Sequence, residues 1–331
     1  MSGGLDSMLA VRLMLLQGVE ATGVHFVSVF NCRAKPGARL AARRAADALG
    51  VRLKLFSFTG VQLEILRDPP HGFGSAANPC IDCHMAMLKK AGEYMRETAA
   101  DFVVTGEVVG QRPMSQRAAV LRMIDRETGL EGLIVRPLSG KALPATIPEQ
   151  KGLIRRELME EITGRTRTRQ MELAREFGLT SYPTPAGGCL LTDGDFGRRV
   201  KDLIAHDALT LNDAHLIKVG RHYRLDGRTK VIIGRNEREN GVIETFAAKG
   251  DYLLYVEGMP GPTALLRGDV GDANVRRAAA LAARSSKAKL VATARVCVRQ
   301  ARREDAGEVV EVAPADDSTA AACVVALSEV G

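Results

Sequence analysis

The chain has 331 residues, 46% hydrophobic and 26% charged, with six cysteines and no tryptophan. That balance is ample for a hydrophobic core and excludes a disordered, collagen-like or disulfide-framework chain. Its net charge of +7 is concentrated at 151–170 and 218–238, which fits a solvated basic surface or an anionic partner, nucleic acid first.

In chain order, apolar periodicity predicts a helix after residue 4, with Leu5, Leu9, Leu13 and Leu16 on one face. Strands are expected at 21–30 and 51–58, with an alanine-rich helix at 38–49 between them. A helix at 82–97 and a short strand at 102–105 follow. Such strand–helix–strand units predict an α/β fold with a doubly wound parallel sheet. Residues 150–178 read as helical, broken near Thr163-Gly164, and the Pro/Gly-rich run 181–189 reads as loop. Beyond it, short strands are expected at 215–219, 229–233, 252–256 and 264–267, then a helix at 272–287 and strands near 289–299 and 307–312. That pattern is a smaller α+β domain. The expected division is 1–180, a cysteine-bearing connector at 181–213, and 214–331. The alanine-rich, acidic tail after 303 suggests no function. No run approaches the roughly 20 apolar residues of a membrane helix and no charged-then-apolar leader is evident, so a soluble, cytoplasmic protein without a membrane partner is expected.

The opening residues Ser2-Gly3-Gly4-Leu5-Asp6-Ser7 combine two glycines, two hydroxyls and a helix start. Backbone N–H groups and the dipole at such a start favour a bound anion, and Asp6 is placed to hold Mg²⁺ between phosphates. For the glycine pair before a helix taken alone, a plain helix cap at Asp6 or Ser7 is an equally good reading. The hexapeptide resembles the phosphate loop of the PP-loop ATP pyrophosphatases. That resemblance implies ATP cleaved between its α- and β-phosphates, bound at Ser2, Gly3, Gly4, Asp6 and Ser7, with Gly106 and Glu107 on the adenosine side. Gln111, Arg112 and Ser115 are further candidates to face nucleotide or substrate. Such a loop follows a buried strand, which residues 1–2 are too few to make. Met1 is therefore expected to be the last residue of that strand, with the start of the reading frame upstream.

Asn78-Pro79-Cys80-Ile81-Asp82-Cys83-His84 leads into the helix at 82–97, and Cys189 follows Gly187-Gly188. A thiol at a helix N-terminus is expected to have a lowered pKa, which marks Cys83. Cys32, Cys297 and Cys323 read as packing residues. With the loop, these segments resemble the tRNA 2-thiouridylases and related tRNA sulfurtransferases over residues 1–200. In those enzymes a cysteine in the position of Cys83 attacks a persulfide on one in the position of Cys189, and the sulfur goes to an adenylated uridine. The added Cys80 departs from that pattern and resembles the iron–sulfur thiolation enzymes, which implies a [4Fe–4S] cluster on Cys80, Cys83 and Cys189. Three readings stay open: the cluster, the persulfide relay, and zinc completed by His84.

In the last third, Val231–Asn240, Lys249–Tyr252, Gly258–Pro262 and Ala283–Lys289 resemble an NFACT-type RNA-binding domain in order and spacing. Leu253-Leu254-Tyr255-Val256 stands where that family has an aromatic–His stretch. Arg235, Asn236, Arg238, Arg267, Lys287 and Lys289 are the candidate phosphate contacts, and Tyr252 or Tyr255 is a candidate for stacking on a base. The combined resemblance implies ATP- and Mg²⁺-dependent tRNA thiolation at a base carbonyl, with Cys83, Cys189 and Asp6 catalytic. Its partners would be tRNA and a sulfur donor, either sulfide or a persulfide carrier protein; an oligomer stays open. The alternatives are a PP-loop ligase or sulfurtransferase acting on a small molecule, and a non-catalytic RNA-binding protein.

Overall fold

The structure, a computed structural model, describes residues 1–31, 40–182, 189–303 and 306–325. The chain divides into two compact units, Met1–Leu190 and Leu191–Gly331. Cys189 belongs to the first; Cys32 and Gly187-Gly188 lie outside the described residues.

In the first unit, α1 (Leu5–Leu15) starts at the phosphate loop and buries Leu5, Leu9 and Leu13, as their spacing predicts. Leu16 lies one residue past the helix end and is 52% exposed, so the buried stripe stops a turn early. Next come β1 (Thr22–Val27), α2 (Ala41–Leu49), β2 (Arg52–Ser57), α3 (Thr59–Arg67) and α4 (Cys80–Glu97). β3 (Val103–Val104), α5 (Ala118–Glu127), β4 (Ile134–Val135), α6 (Ile147–Gln150) and α7 (Thr168–Glu176) complete the unit. The helix expected over 150–178 is mostly absent: between α6 and α7 there is only one 3₁₀ turn, Arg156–Leu158.

The α/β class and parallel pairing hold, but the pairing is local. β1 pairs with β2 and β3 with β4, each parallel, as two separate two-stranded sheets. Beside β1, the Met1 nitrogen donates to the Val24 carbonyl, and the Met1 carbonyl accepts from His25 Nδ1 at 2.9 Å. One core joins α1 to Val108, Val135, Leu138, Leu173 and Ala174. A second joins Met85, Leu88 and Met95 of α4 to Ile124, Leu130 and Ile134. The cysteine helix and the phosphate helix are thus each anchored by their own apolar cluster.

In the second unit, α8 (Gly194–Ala205) and α9 (Leu211–Leu216) precede β5 (Arg221–Arg224), β6 (Lys230–Ile233), α10 (Glu237–Phe246), β7 (Tyr252–Val256), β8 (Ala264–Arg267), α11 (Asp272–Arg284), β9 (Ala294–Gln300), β10 (Glu308–Val312) and α12 (Asp317–Cys323). The strands form one antiparallel sheet in the order β10-β9-β7-β8-β6-β5. Alanines of α11 pack against Val231, Leu254, Leu266 and Val296. Ile232, Leu253 and Leu265, on the opposite face by strand alternation, cluster with Leu216 of α9 and Ile243 of α10. The strand expected at 215–219 is a correction: His215 and Leu216 end α9, whose Thr210 cap accepts from the Asp213 N–H at 3.1 Å.

Candidate active site in the first unit

The phosphate loop is tightly constrained. Gly3 has φ +84°, and a Cβ there would lie 2.4 Å from the Ala41 carbonyl carbon, so only glycine fits. The Gly4 N–H donates to Ser2 Oγ at 3.2 Å, and Ser7 Oγ donates to the Gly4 carbonyl at 2.8 Å. Asp6, in the first turn of α1, accepts from Gln111 Nε2 at 3.2 Å and from Arg167 Nη2 at 3.3 Å. A helix start with a carboxylate held by two long contacts is a place where a phosphate–Mg²⁺ pair could be held, Asp6 being the side chain able to reach the metal.

Gly106 lies directly on this loop: a Cβ there would fall 2.7 Å from the backbone of Asp6 and Ser7. The next residue, Glu107, is buried and turns the other way. Its carboxylate accepts from His84 Nδ1 at 3.1 Å, Thr105 Oγ1 at 3.1 Å and Arg136 Nε at 3.0 Å. Arg136 in turn grips Asp125 through both terminal nitrogens, at 2.8 and 2.7 Å. Burial alone would raise the Glu107 pKa, but the hydrogen bonds and charges of His84 and Arg136 outweigh it and bring it down to about 2. Glu107 is therefore an ionised brace between this turn and α4. Its oxygens accept from these three protein donors. Arg112 is exposed, and Ser115 is fully buried.

Cys80 and Cys83 sit on α4, and Cys189 lies near the end of the first unit. Cys80 opens α4, and Cys83 is its fourth residue, 7% exposed, with its N–H donating to the Pro79 carbonyl at 3.0 Å. Gln62 Nε2 donates to Cys83 Sγ at 3.6 Å. Cys189 Sγ donates to the Phe30 carbonyl at 3.5 Å, and the Leu190 N–H donates to the same oxygen at 3.0 Å. The expected low-pKa thiol is corrected. Burial, then the charge of Cys189, then that of Cys80 push the Cys83 thiol up to about 12, overriding the helix dipole and the Gln62 hydrogen bond. That influence of Cys189 puts residues 83 and 189 within electrostatic reach of one another.

Cluster and zinc readings need three or more converging ligands. Among the described residues no group of three His, Cys, Asp or Glu side chains is set to hold a metal ion. His84 is turned to Glu107. The donor set as arranged does not fit the [4Fe–4S] cluster or zinc, and no step is routed through either.

In the second unit, the candidate phosphate contacts fall into two groups. Arg238, Lys287 and Lys289 are exposed. Arg235 pairs with Glu239 at 2.6 Å, and Asn236 caps α10 by accepting from the Glu239 N–H at 3.1 Å. Arg267 is turned inward, bonded to Asp213 and Asp251 at 2.6 Å each, so it is a framework residue and not a phosphate contact. Tyr255 takes the Arg299 guanidinium against its ring, 5.2 Å from the centroid, and accepts from it at 3.0 Å through the hydroxyl. Residues that the sequence did not single out, Arg136, Asp125, Gln62 and Arg167, prove central to the site.

Residues 1–145 match the family model described as Thiamine biosynthesis protein (ThiI), and residues 220–322 match the NFACT protein RNA binding domain. The tRNA-specific 2-thiouridylase MnmA of Methylobacterium sp. (strain 4-46) is 29% identical over 255 residues, covering 72% of this chain and 59% of that protein. The probable tRNA sulfurtransferase of Methanosarcina acetivorans is 35% identical over 127 residues, 36% of this chain and 29% of its own. The chain thus spans 59% or less of the length of these relatives. A solved structure, the C-terminal part of the fibronectin/fibrinogen-binding protein from Streptococcus suis, aligns with 80% of this chain and 98% of its own at 13% identity, with a TM-score of 0.30. Among the described residues no helix is long and apolar enough to cross a membrane. Two separate segments carry the resemblance: a PP-loop region of ThiI type in the first unit and an RNA-binding region of NFACT type in the second.

Proposed function

We propose that the protein is an ATP-dependent tRNA sulfurtransferase. The observation that carries this reading is the turn Gly106–Glu107, which touches the phosphate loop with its backbone and the residue after Cys83 with its carboxylate. A nucleotide site and a cysteine pair joined by one turn suit a reaction that first activates and then sulfurates the same atom.

ATP·Mg²⁺ would sit on Ser2, Gly3, Gly4, Asp6 and Ser7. A uridine carbonyl oxygen attacks the α-phosphate, pyrophosphate leaves, and the oxygen becomes part of an AMP leaving group. Cys189 receives a persulfide from a carrier protein. The Cys83 sulfur, after losing its proton, attacks the inner sulfur of that persulfide and forms a disulfide with Cys189. The outer sulfur departs as hydrosulfide, adds to the activated carbon and displaces AMP. An external thiol then reduces the disulfide. The lack of a three-ligand group among the described residues favours this relay over a cluster. Residues 1–180 would be the catalytic domain, 181–213 the connector carrying Cys189, and 214–331 the RNA-holding domain.

The test is mass spectrometry of tRNA nucleosides from cells with and without the gene. Loss of one thiolated uridine on deletion, restored by the intact gene but not by Cys83→Ser or Cys189→Ser, is the expected result. An unchanged profile overturns tRNA thiolation and moves the reading to a small-molecule substrate.

A further inference from the structure

The segments that reach Asp6 from the side contain buried polar atoms with nothing to bond among the described residues. Val109 and Thr163 form a parallel bridge, and the Gly164 N–H donates to the Val109 carbonyl at 2.7 Å. Ser139 Oγ ties the two segments together, accepting from the Val109 N–H at 3.0 Å and donating to the Ile162 carbonyl at 2.6 Å. From this paired base one segment sends Gln111 to Asp6, and the other sends Arg167.

Arg167 Nε is shut off from solvent and has no hydrogen-bond partner among the described residues. Three residues on, about one helical turn, Gln170 is 0% exposed with both amide atoms unpartnered. Across the bridge, Ser115 Oγ and Gln116 Oε1 are likewise buried and unpartnered. A single unmet buried polar atom costs roughly 1–3 kcal/mol, so these atoms call for partners such as ordered water or a polar ligand. Arg167 itself is poorly used: its contact with Asp6 is long, at 3.3 Å, and one-pronged.

We infer that Arg167 is the cation that holds the β- and γ-phosphoryl groups of ATP and receives the departing pyrophosphate. This rests on the proposed ATP-dependent reaction and deepens it. Mg²⁺ bound at Asp6 competes with the guanidinium for the same carboxylate. Once displaced, Arg167 is beside the phosphate loop with a planar fork of donors that matches two phosphate oxygens. When the α–β phosphoanhydride bond breaks, its electron pair goes to the β-phosphate oxygen of pyrophosphate. A fixed guanidinium stabilises the charge that develops there. Arg167 would therefore act on the leaving group, while the glycine loop holds the chain of phosphates.

The test uses the full chain, binding inorganic pyrophosphate with Mg²⁺ and, separately, AMP and ATP·Mg²⁺, followed by calorimetry, with thermal melts as a check on folding. Arg167→Gln is expected to weaken pyrophosphate binding about 10- to 100-fold while leaving AMP binding within about twofold, and Arg167→Lys to restore part of the loss. Equal losses for pyrophosphate and AMP, or an unchanged pyrophosphate affinity, overturn the assignment and leave Arg167 a brace for Asp6. If the unaltered protein binds ATP·Mg²⁺ while Arg167→Gln binds pyrophosphate equally well, only this inference fails. If the unaltered protein binds none of the three, the ATP-dependent reading fails with it.

Discussion

Cys83 carries the sharpest chemical tension in the site. It is the residue assigned to attack sulfur, yet burial and two neighbouring thiols keep its proton on, with a pKa of about 12. Only the thiolate is nucleophilic, so at pH 8 the reactive fraction is about one part in ten thousand. Iodoacetamide is therefore expected to label Cys83 far more slowly than free cysteine, with the rate rising about tenfold per pH unit from pH 8 to pH 10. Peptide mapping of labelled protein checks this. Labelling as fast as free cysteine, already at plateau by pH 8, contradicts the buried, protonated state. Under the proposed relay, such a thiol would stay unreactive until a persulfide and substrate change its surroundings.

At the level of elements, the site depends on backbone pieces approaching too closely for side chains. Gly106 after β3 and the first turn of α1 leave no room for a methyl group, because the atoms in the way are backbone. Gly106→Ala is expected to destabilise the protein by roughly 1–3 kcal/mol and to weaken ATP binding. Gly60→Ala in α3, where nothing lies within 4 Å, should be neutral or stabilising by up to about 1 kcal/mol. Urea melts with ATP titrations decide the matter, and equal behaviour of the two variants would refute the close approach. Elements bounded by local signals were legible in the sequence: the runs at 252–256 and 264–267 are strands over the same residues. The β-branched run after Leu216 read as a strand because Thr210 and Asp213 were not weighed as a helix start. Pairings across the chain left no local trace. Asp6 with Arg167 spans 161 positions and Glu107 with Arg136 spans 29, so the motif residues could be picked out but their partners could not.

For the molecule as a whole, the two units carry separate resemblances, and the RNA-binding reading rests on the second. Its exposed lysines and its half-buried Arg267 predict opposite behaviour. Replacing Lys287 and Lys289 by Gln should leave stability nearly unchanged and weaken tRNA binding. It should also flatten the dependence of log affinity on log salt by about 0.7–0.9 for each phosphate no longer neutralised. Arg267→Ala should instead destabilise the protein by roughly 3–5 kcal/mol, because Asp213 and Asp251 lose their shared counter-charge. Filter binding across a salt series, together with thermal melts, separates these outcomes. A double lysine variant with an unchanged salt slope would place the RNA phosphates elsewhere.

The two-residue turn at Gly106–Glu107 has a consequence for the order of events. Its backbone is pressed on the phosphate loop, and its carboxylate is clamped among Arg136, Thr105 and His84, so one short turn bears on both the loop and the residue after Cys83. If nucleotide binding shifts the loop and thereby biases the surroundings of Cys83, reciprocity requires the state of Cys83, free thiol or disulfide with Cys189, to bias nucleotide affinity by the same factor. Sulfur loading and ATP loading then become mutually informed steps. Under the proposed relay, a protein whose Cys83 is tied in the disulfide with Cys189 would hold ATP with an affinity that differs, by that same factor, from one whose Cys83 is a free thiol.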